Sequence, residues 1–240
     1  METKDRIVRY WTERSEDFEK LRHAELDSYM ARLWMKEMGQ HLSKKKSCRI
    51  LDVGTGCGFF AILLAKEGYD VEGIDLTAAM IKRAEELAFE EGVSVPFHVM
   101  DAESLEYPDE SFDIVIARNL TWTLPNPEKA YCEWLRVLKK GGMLLNYDGD
   151  YGKEAFGKER KHLPEQHVHN RVNRSLLAEC DAIKRELDIS RRIRPLWDME
   201  FLRAWGCESV SADTGISDRI YLKQDEFYNP TPMFLIRVIK

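Results

Sequence analysis

Between Arg49 and Asp150, short apolar runs alternate with amphipathic stretches, and this rhythm constrains the fold more than any other feature of the chain. "RILDV" is followed by "FFAILLAKEG", and "DVEGID" by "AAMIKRAEELAFEEG"; "VPFHVMD" and "FDIVIAR" then lead to "PEKAYCEWLRVLKKGG" and "GMLLNYD". The apolar runs lack the strict in/out alternation of a half-solvated strand, so both of their faces are buried under the intervening helices. Strands joined through helices run parallel with right-handed crossovers, which predicts an α/β fold: a three-layer, doubly wound, mostly parallel sheet.

The flanks follow other rhythms. Leu26, Met30, Leu33, Met38 and Leu42 recur at three- to four-residue steps and predict helix, weakened and ended by Gly39 and "SKKKS". After Asp150 the alternation stops, and Leu176, Cys180, Ile183 and Leu187 mark one amphipathic helix following Ser175. A last helix is predicted from near Pro195, then strands at 207–212 and "MFLIRVIK". These two strands leave no room for a helix between them and are expected to pair antiparallel. The 240 residues suit one domain: an N-terminal helical lid segment (1–46), a cofactor-binding core (47–150), a cap or substrate region (151–195), and a C-terminal helix with strands (196–240).

Within the core, "ILDVGTGCGFF" places Gly54, Gly56 and Gly58 at the end of a buried strand. A glycine turn there lets the backbone approach a ligand and sets a helix N-terminus beside it. Asp75, which ends "VEGID", lies 21 residues after Gly54, the interval at which an acid takes the hydroxyls of a ribose. The third glycine of the dinucleotide pattern G-x-G-x-x-G would fall at position 59, which is Phe59. Asp52 precedes the turn; a carboxylate there repels a pyrophosphate and attracts the ammonium of a methionine moiety. The expected cofactor is therefore S-adenosyl-L-methionine.

"LDVGTGCGFF", "VEGIDLTAAMIKRA", "VMDAESLEYPDESFDIVIARN" and "WLRVLKKGGMLL", in that order and spacing, resemble the successive motifs of class I S-adenosylmethionine-dependent methyltransferases, specifically the type 11 group. The resemblance implies a seven-stranded sheet in the order 3-2-1-4-5-7-6 and S-adenosyl-L-homocysteine as product. It implies that Gly54, Thr55 and Gly56 line the methionine and ribose side, that Asp75 holds the ribose, and that Leu76 and Met80 pack near the adenine. Asp101 and Ala102 match the place where the adenine is read, with Glu103 beside them. Arg118, Asn119 and Leu120 match the segment passing under the methyl donor. "RYWTERSEDF" resembles the aromatic and basic lid of the family, with Tyr10, Trp11 and Arg14 in that role; the same aromatic pair is equally suited to covering the core.

Methyl transfer from a sulfonium needs alignment more than a catalytic triad. A hydroxyl or ammonium acceptor also needs a base; Asp148 in "NYDGDYG" and the histidines His162, His167 and His169 are placed for that. A histidine group of this kind more often forms a solvated loop, because no recognised metal-ligand spacing accompanies it, and no metal is expected. Residues 153–194 carry eleven Lys or Arg against seven Asp or Glu. Such a face is most often simply solvated; as a cap over the substrate mouth it would favour an anionic acceptor.

Net charge is −6, which offers nucleic acid and anionic membrane no general attraction. "RNLTWTLP" lacks the motif of base-amino methylation, and no Pro precedes any of the five cysteines, so a small-molecule acceptor is expected. No apolar run approaches a membrane span, the N-terminus is charged, and the scattered cysteines fit reduced thiols. A cytoplasmic monomer or homodimer is expected. Two rival readings remain open from the residues alone: an NAD(P)-dependent oxidoreductase on the same fold, and a protein that binds S-adenosylmethionine without catalysis.

Overall fold

The structure is a computed structural model that describes residues 2–42, 46–156, 163–164, 167, 170, 172–207 and 209–240. The described residues build one seven-stranded sheet in the order β3-β2-β1-β4-β5-β7-β6. Its strands are β1 (Arg49–Val53), β2 (Asp70–Asp75), β3 (Phe97–Val99), β4 (Phe112–Arg118), β5 (Leu138–Gly149), β6 (Ser209–Asp213) and β7 (Met233–Ile239). All pairings from β3 to β5 are parallel, while β7 runs antiparallel between β5 and β6. The predicted three-layer sheet, its order and its antiparallel end are therefore observed.

The helices are α1 (Thr3–Leu26), α2 (Tyr29–Gly39), α3 (Phe59–Lys66), α4 (Ala78–Glu90), α5 (Pro127–Val137), α6 (Arg174–Glu186), α7 (Leu196–Trp205) and the short α8 (Ile216–Ile220). Local chemistry sets their ends. Ser28 caps α2 by accepting from Met30 N, and Asn126 caps α5 by accepting from Lys129 N, with Pro127 in the first turn. Asn173 starts α6 in the same way, two residues before the Ser175 at which the sequence pattern begins.

Two elements differ from expectation. α5 stops at Val137, and β5 starts at once, with Leu138 opposite Phe112 and the register shifting before Met143 meets Ile114; Gly141, at φ +71°, absorbs the irregularity. Between β6 and β7 there is a helix after all: α8 fits in one turn because Ile216 and Ile220, four apart, both bury in the core shared with α2 and β7.

One face of the sheet buries Trp34, Phe60 and Tyr147 with α2 and α3. The other buries Phe112, Tyr131 and Trp134 with α5 and α7. A third cluster joins Ile7 and Tyr10 of α1 to Cys180 and Ile183 of α6 and to Trp122 and Tyr151. It holds α1 across the carboxyl ends of β4 and β5. Among the described residues, no helix is long and apolar enough to cross a membrane.

Candidate cofactor and acceptor cavity

After β1 the chain turns through Gly54 at φ +67° and Gly56 at φ +54°, left-handed conformations that glycine adopts without strain. A Cβ on Gly54 would also stand 2.6 Å from Leu120 Cδ1. Two carboxylates pin the turn from below. Gly56 N donates to Asp75 Oδ2 at 3.1 Å and Thr77 N to Asp75 Oδ1 at 2.8 Å. Thr55 Oγ1 donates to Asp52 Oδ2 at 2.6 Å, and Ala61 N to the same oxygen at 3.2 Å. Burial, with the neighbouring Asp75 charge adding to it, pushes the Asp52 carboxyl up to about 7, and burial raises Asp75 as well.

Beyond β3, Asp101 accepts from Glu103 N at 2.9 Å and from Lys4 Nζ at 2.6 Å. Buried Glu103 meets the same ammonium at 2.6 Å and accepts from Asn126 N. At the end of β4, Arg118 forks onto the buried Glu25 at 2.7 and 3.3 Å. Asn119, at φ +56°, accepts from the Tyr151 hydroxyl at 2.9 Å, and that hydroxyl accepts from Asn229 Nδ2 at 2.7 Å.

These groups surround a cavity of about 240 Å³ at the carboxyl ends of β1, β2 and β4, the position that open α/β sheets offer to ligands. Every residue expected to touch the cofactor lines it: Tyr10, Arg14, Asp52, Gly54, Thr55, Gly56, Asp75, Leu76, Met80, Asp101, Ala102, Glu103, Arg118, Asn119 and Leu120. Trp11 lines it too, so the N-terminal aromatic pair covers the core and the cavity at once. Sequence reasoning missed Lys4, Phe18 and Arg22, which also face the cavity; their signal is the stripe 4-7-11-14-18-22 at helical spacing. It also missed Tyr221 and residues 226–231, the loop before β7, which carries no local motif.

Three expectations about chemistry change. Asp148 does not face the cavity; it is fully buried, paired with Arg194 at 2.8 Å, and accepts from Trp122 N at 3.1 Å. Arg194 turns its other edge to Asp198, which accepts from the Tyr131 hydroxyl. Asp148 is thereby a clamp rather than an accessible base. His167 is buried, not solvated: it lines the cavity, its Nε2 lies 2.8 Å from the Tyr228 carbonyl oxygen, and burial lowers its pKa. His162 and His169 lie outside the described residues. No described Lys or Arg of residues 153–194 lines the cavity. Lys184, for example, is buried against the Tyr151 and Glu154 carbonyls. The cations at the cavity come instead from α1 and β4.

A family model described as a methyltransferase domain matches residues 51–146. Phosphatidylethanolamine N-methyltransferase of Cereibacter sphaeroides is 40% identical over 99 residues, 40% of this chain and 48% of that protein. The uncharacterized methyltransferase YcgJ of Bacillus subtilis is 35% identical over 138 residues, 56% of this chain and 54% of its own length. This chain thus spans about half the length of these curated relatives. The YcgJ crystal structure superposes with a TM-score of 0.56 at 23% identity, covering 86% of this chain and 97% of that one. Phosphoethanolamine N-methyltransferase 2 of Haemonchus contortus, solved with S-adenosyl-L-methionine, gives 0.58 at 19% identity over 85% of this chain and 51% of its own. Both likenesses are of fold. The strand order and the glycine turn agree with this match of residues 51–146 to the methyltransferase-domain model.

Proposed function

We propose that the chain is an S-adenosyl-L-methionine-dependent methyltransferase that moves the methyl group in line onto a small-molecule acceptor. The observation that carries this reading is convergence: the glycine turn, the Asp52 and Asp75 carboxylates beneath it, Asp101 and the cationic face of α1 all border one cavity. In that cavity Asp75 would exchange its bond to Gly56 N for the ribose hydroxyls. Asp52, ionised by an approaching cation, would attract the methionine ammonium. Arg14, 3% exposed and donating to the Tyr10 hydroxyl at 2.9 Å, would meet the methionine carboxylate. Asn119 and Leu120 would lie under the methyl donor.

The cofactor carries the activated methyl group, so the protein's work is to align donor and nucleophile and to keep water out. As the acceptor's electron pair forms the new bond to carbon, the carbon–sulfur bond breaks and its pair returns to sulfur, leaving S-adenosyl-L-homocysteine. An acceptor hydroxyl or ammonium must also lose a proton. His167, held neutral by burial and facing the cavity, is the group we assign to it.

Calorimetry with S-adenosyl-L-methionine, S-adenosyl-L-homocysteine and NAD tests the cofactor. Binding of the first two without NAD is expected, and tight NAD binding alone would return the oxidoreductase reading. An acceptor screen that detects methylated product separates the enzyme from a non-catalytic binding protein. With the acceptor in hand, His167→Gln should lower kcat by about a hundredfold or more and leave S-adenosyl-L-homocysteine affinity unchanged.

A further inference from the structure

Among the described residues, four cations line the cavity, and three of them, Arg14, Arg22 and Arg118, are guanidinium groups. Along α1 its side chains follow an order: Lys4 on Asp101, then Arg14, then Phe18, whose ring lies 3.3 Å from where a Cβ on Gly56 would stand, and last Arg22. A cofactor reaching from Asp101 to the glycine turn is spanned by Lys4 to Phe18. Arg14 falls inside that span, and Arg22 lies one helical turn past it, about 6 Å further along the axis.

Arg22 and Arg118 share a single carboxylate. Arg118 forks onto Glu25, and Arg22 Nη1 bonds the same group. Both guanidinium groups are walled by rings: Arg22 sits 4.6 Å from the Phe18 centroid, and Arg118 4.4 Å from Trp34 and 4.9 Å from Phe59. The Nε of each is buried without a partner. Two cations on one anion leave one positive charge facing the cavity, and a desolvated charge is costly until an anion meets it. Burial presses Arg22 below its ordinary range despite Glu25 beside it.

Among the described residues, none of the acids that line the cavity makes an ion pair with Arg22 or Arg118, although Asp52 lies close enough to Arg118 for their charges to attract. Asp52 and Asp75 are tied under the glycine turn, and Asp101 and Glu103 to Lys4. Among the described residues, Glu226 makes no ion pair with Arg14, Arg22 or Arg118. The cavity is also lined by the rings of Trp122, Tyr151, Tyr221 and Phe227, which suit an apolar body.

We propose that Arg22, oriented by Glu25 beside Arg118, is the subsite that binds an anionic group of the methyl acceptor, a carboxylate or phosphate borne on an apolar body. This rests on the methyltransferase reading, with Arg14 serving the cofactor. No described Lys or Arg of 153–194 takes part in it.

The test is titration calorimetry on the full chain. S-adenosyl-L-homocysteine is titrated into wild type, Arg14→Gln and Arg22→Gln. The protein saturated with it is then titrated with phenylacetate and phenylacetamide, and with phenyl phosphate and phenol. The acids are expected to bind the loaded wild type about tenfold or more tighter than their neutral counterparts, as a charge-assisted pair should. The acid that binds more tightly distinguishes carboxylate from phosphate. Arg22→Gln should lose that preference while holding S-adenosyl-L-homocysteine within about threefold, and Arg14→Gln should weaken S-adenosyl-L-homocysteine about tenfold. Arg22→Lys, which keeps the charge, should retain the acid preference and serves if the glutamine variant does not fold. Loss of S-adenosyl-L-homocysteine affinity in Arg22→Gln equal to that in Arg14→Gln would overturn the subsite, as would equal or absent binding of acids and neutrals by loaded wild type. Wild type that binds no S-adenosyl-L-homocysteine would overturn the methyltransferase reading itself.

Discussion

Asp52 and Asp75 stand one strand apart and carry different loads. Asp75 accepts two backbone N–H groups in the structure, so truncation to alanine would mix lost binding with a loosened turn. Asp75→Asn keeps the shape and one of the two accepting oxygens while it removes the charge. It should weaken S-adenosyl-L-homocysteine binding by about ten- to a hundredfold, read by calorimetry. Asp52 sets a pH dependence. Its folded pKa, about 7, lies above its ordinary value; its contribution to stability is whole below about pH 4 and is lost as pH rises through about 7. A cationic ligand favours the ionised form, so the thermal shift caused by S-adenosyl-L-methionine should grow between about pH 6 and 8. Asp52→Asn should flatten that rise, and an unchanged profile would show that another group titrates. Gly54→Ala adds a Cβ at positive φ against Leu120 and should cost about 1–3 kcal/mol of stability by denaturant melt.

α1 is both wall and cover. Its amino-terminal half is held by Lys4 on Asp101 and Glu103, by Arg6 on Glu179 and Glu186 of α6, and by Ile7 and Tyr10 in the small third cluster. These partly exposed pairs hold weakly, whereas the sheet core does not open without global unfolding. Binding of S-adenosyl-L-homocysteine should therefore slow amide exchange in residues 4–18 more than in β1 or β4, measured by hydrogen-exchange mass spectrometry. Equal protection everywhere would mean that α1 is fixed without ligand. The family resemblance of "RYWTERSEDF" pointed to Tyr10, Trp11 and Arg14, which line the cavity, and the full cavity face of α1 is a stripe at helical spacing. At the end of β5 the local sequence misleads instead. Asp148 looks like an active-site acid because it follows a strand that ends near the ligand, yet Arg194, forty-six residues later, occupies it. Asp148→Asn removes one of the two carboxylates on buried Arg194 and leaves Asp198 as its partner; it should cost about 1–3 kcal/mol of stability by denaturant melt.

For the whole molecule, a net charge of −6 coexists with four cations lining one cavity among the described residues. Composition therefore could not locate the positive charge at the cavity, to which no described Lys or Arg of 153–194 contributes. The alternation of apolar and amphipathic runs was enough to determine the parallel sheet, because burial on both faces writes itself into consecutive residues. The glycine turn, Asp75 at its interval and Phe59 in place of a third glycine were likewise local, and they pointed to a cofactor that carries adenosine. What only the tertiary structure decided is which distant side chains meet: Lys4 with Asp101, Glu25 with Arg118, Asp148 with Arg194, and the loop before β7 with the cavity. Those contacts depend on where α1 and the carboxyl-terminal strands pack against the sheet, and no periodicity or spacing along the chain encodes a charge pair ninety residues apart.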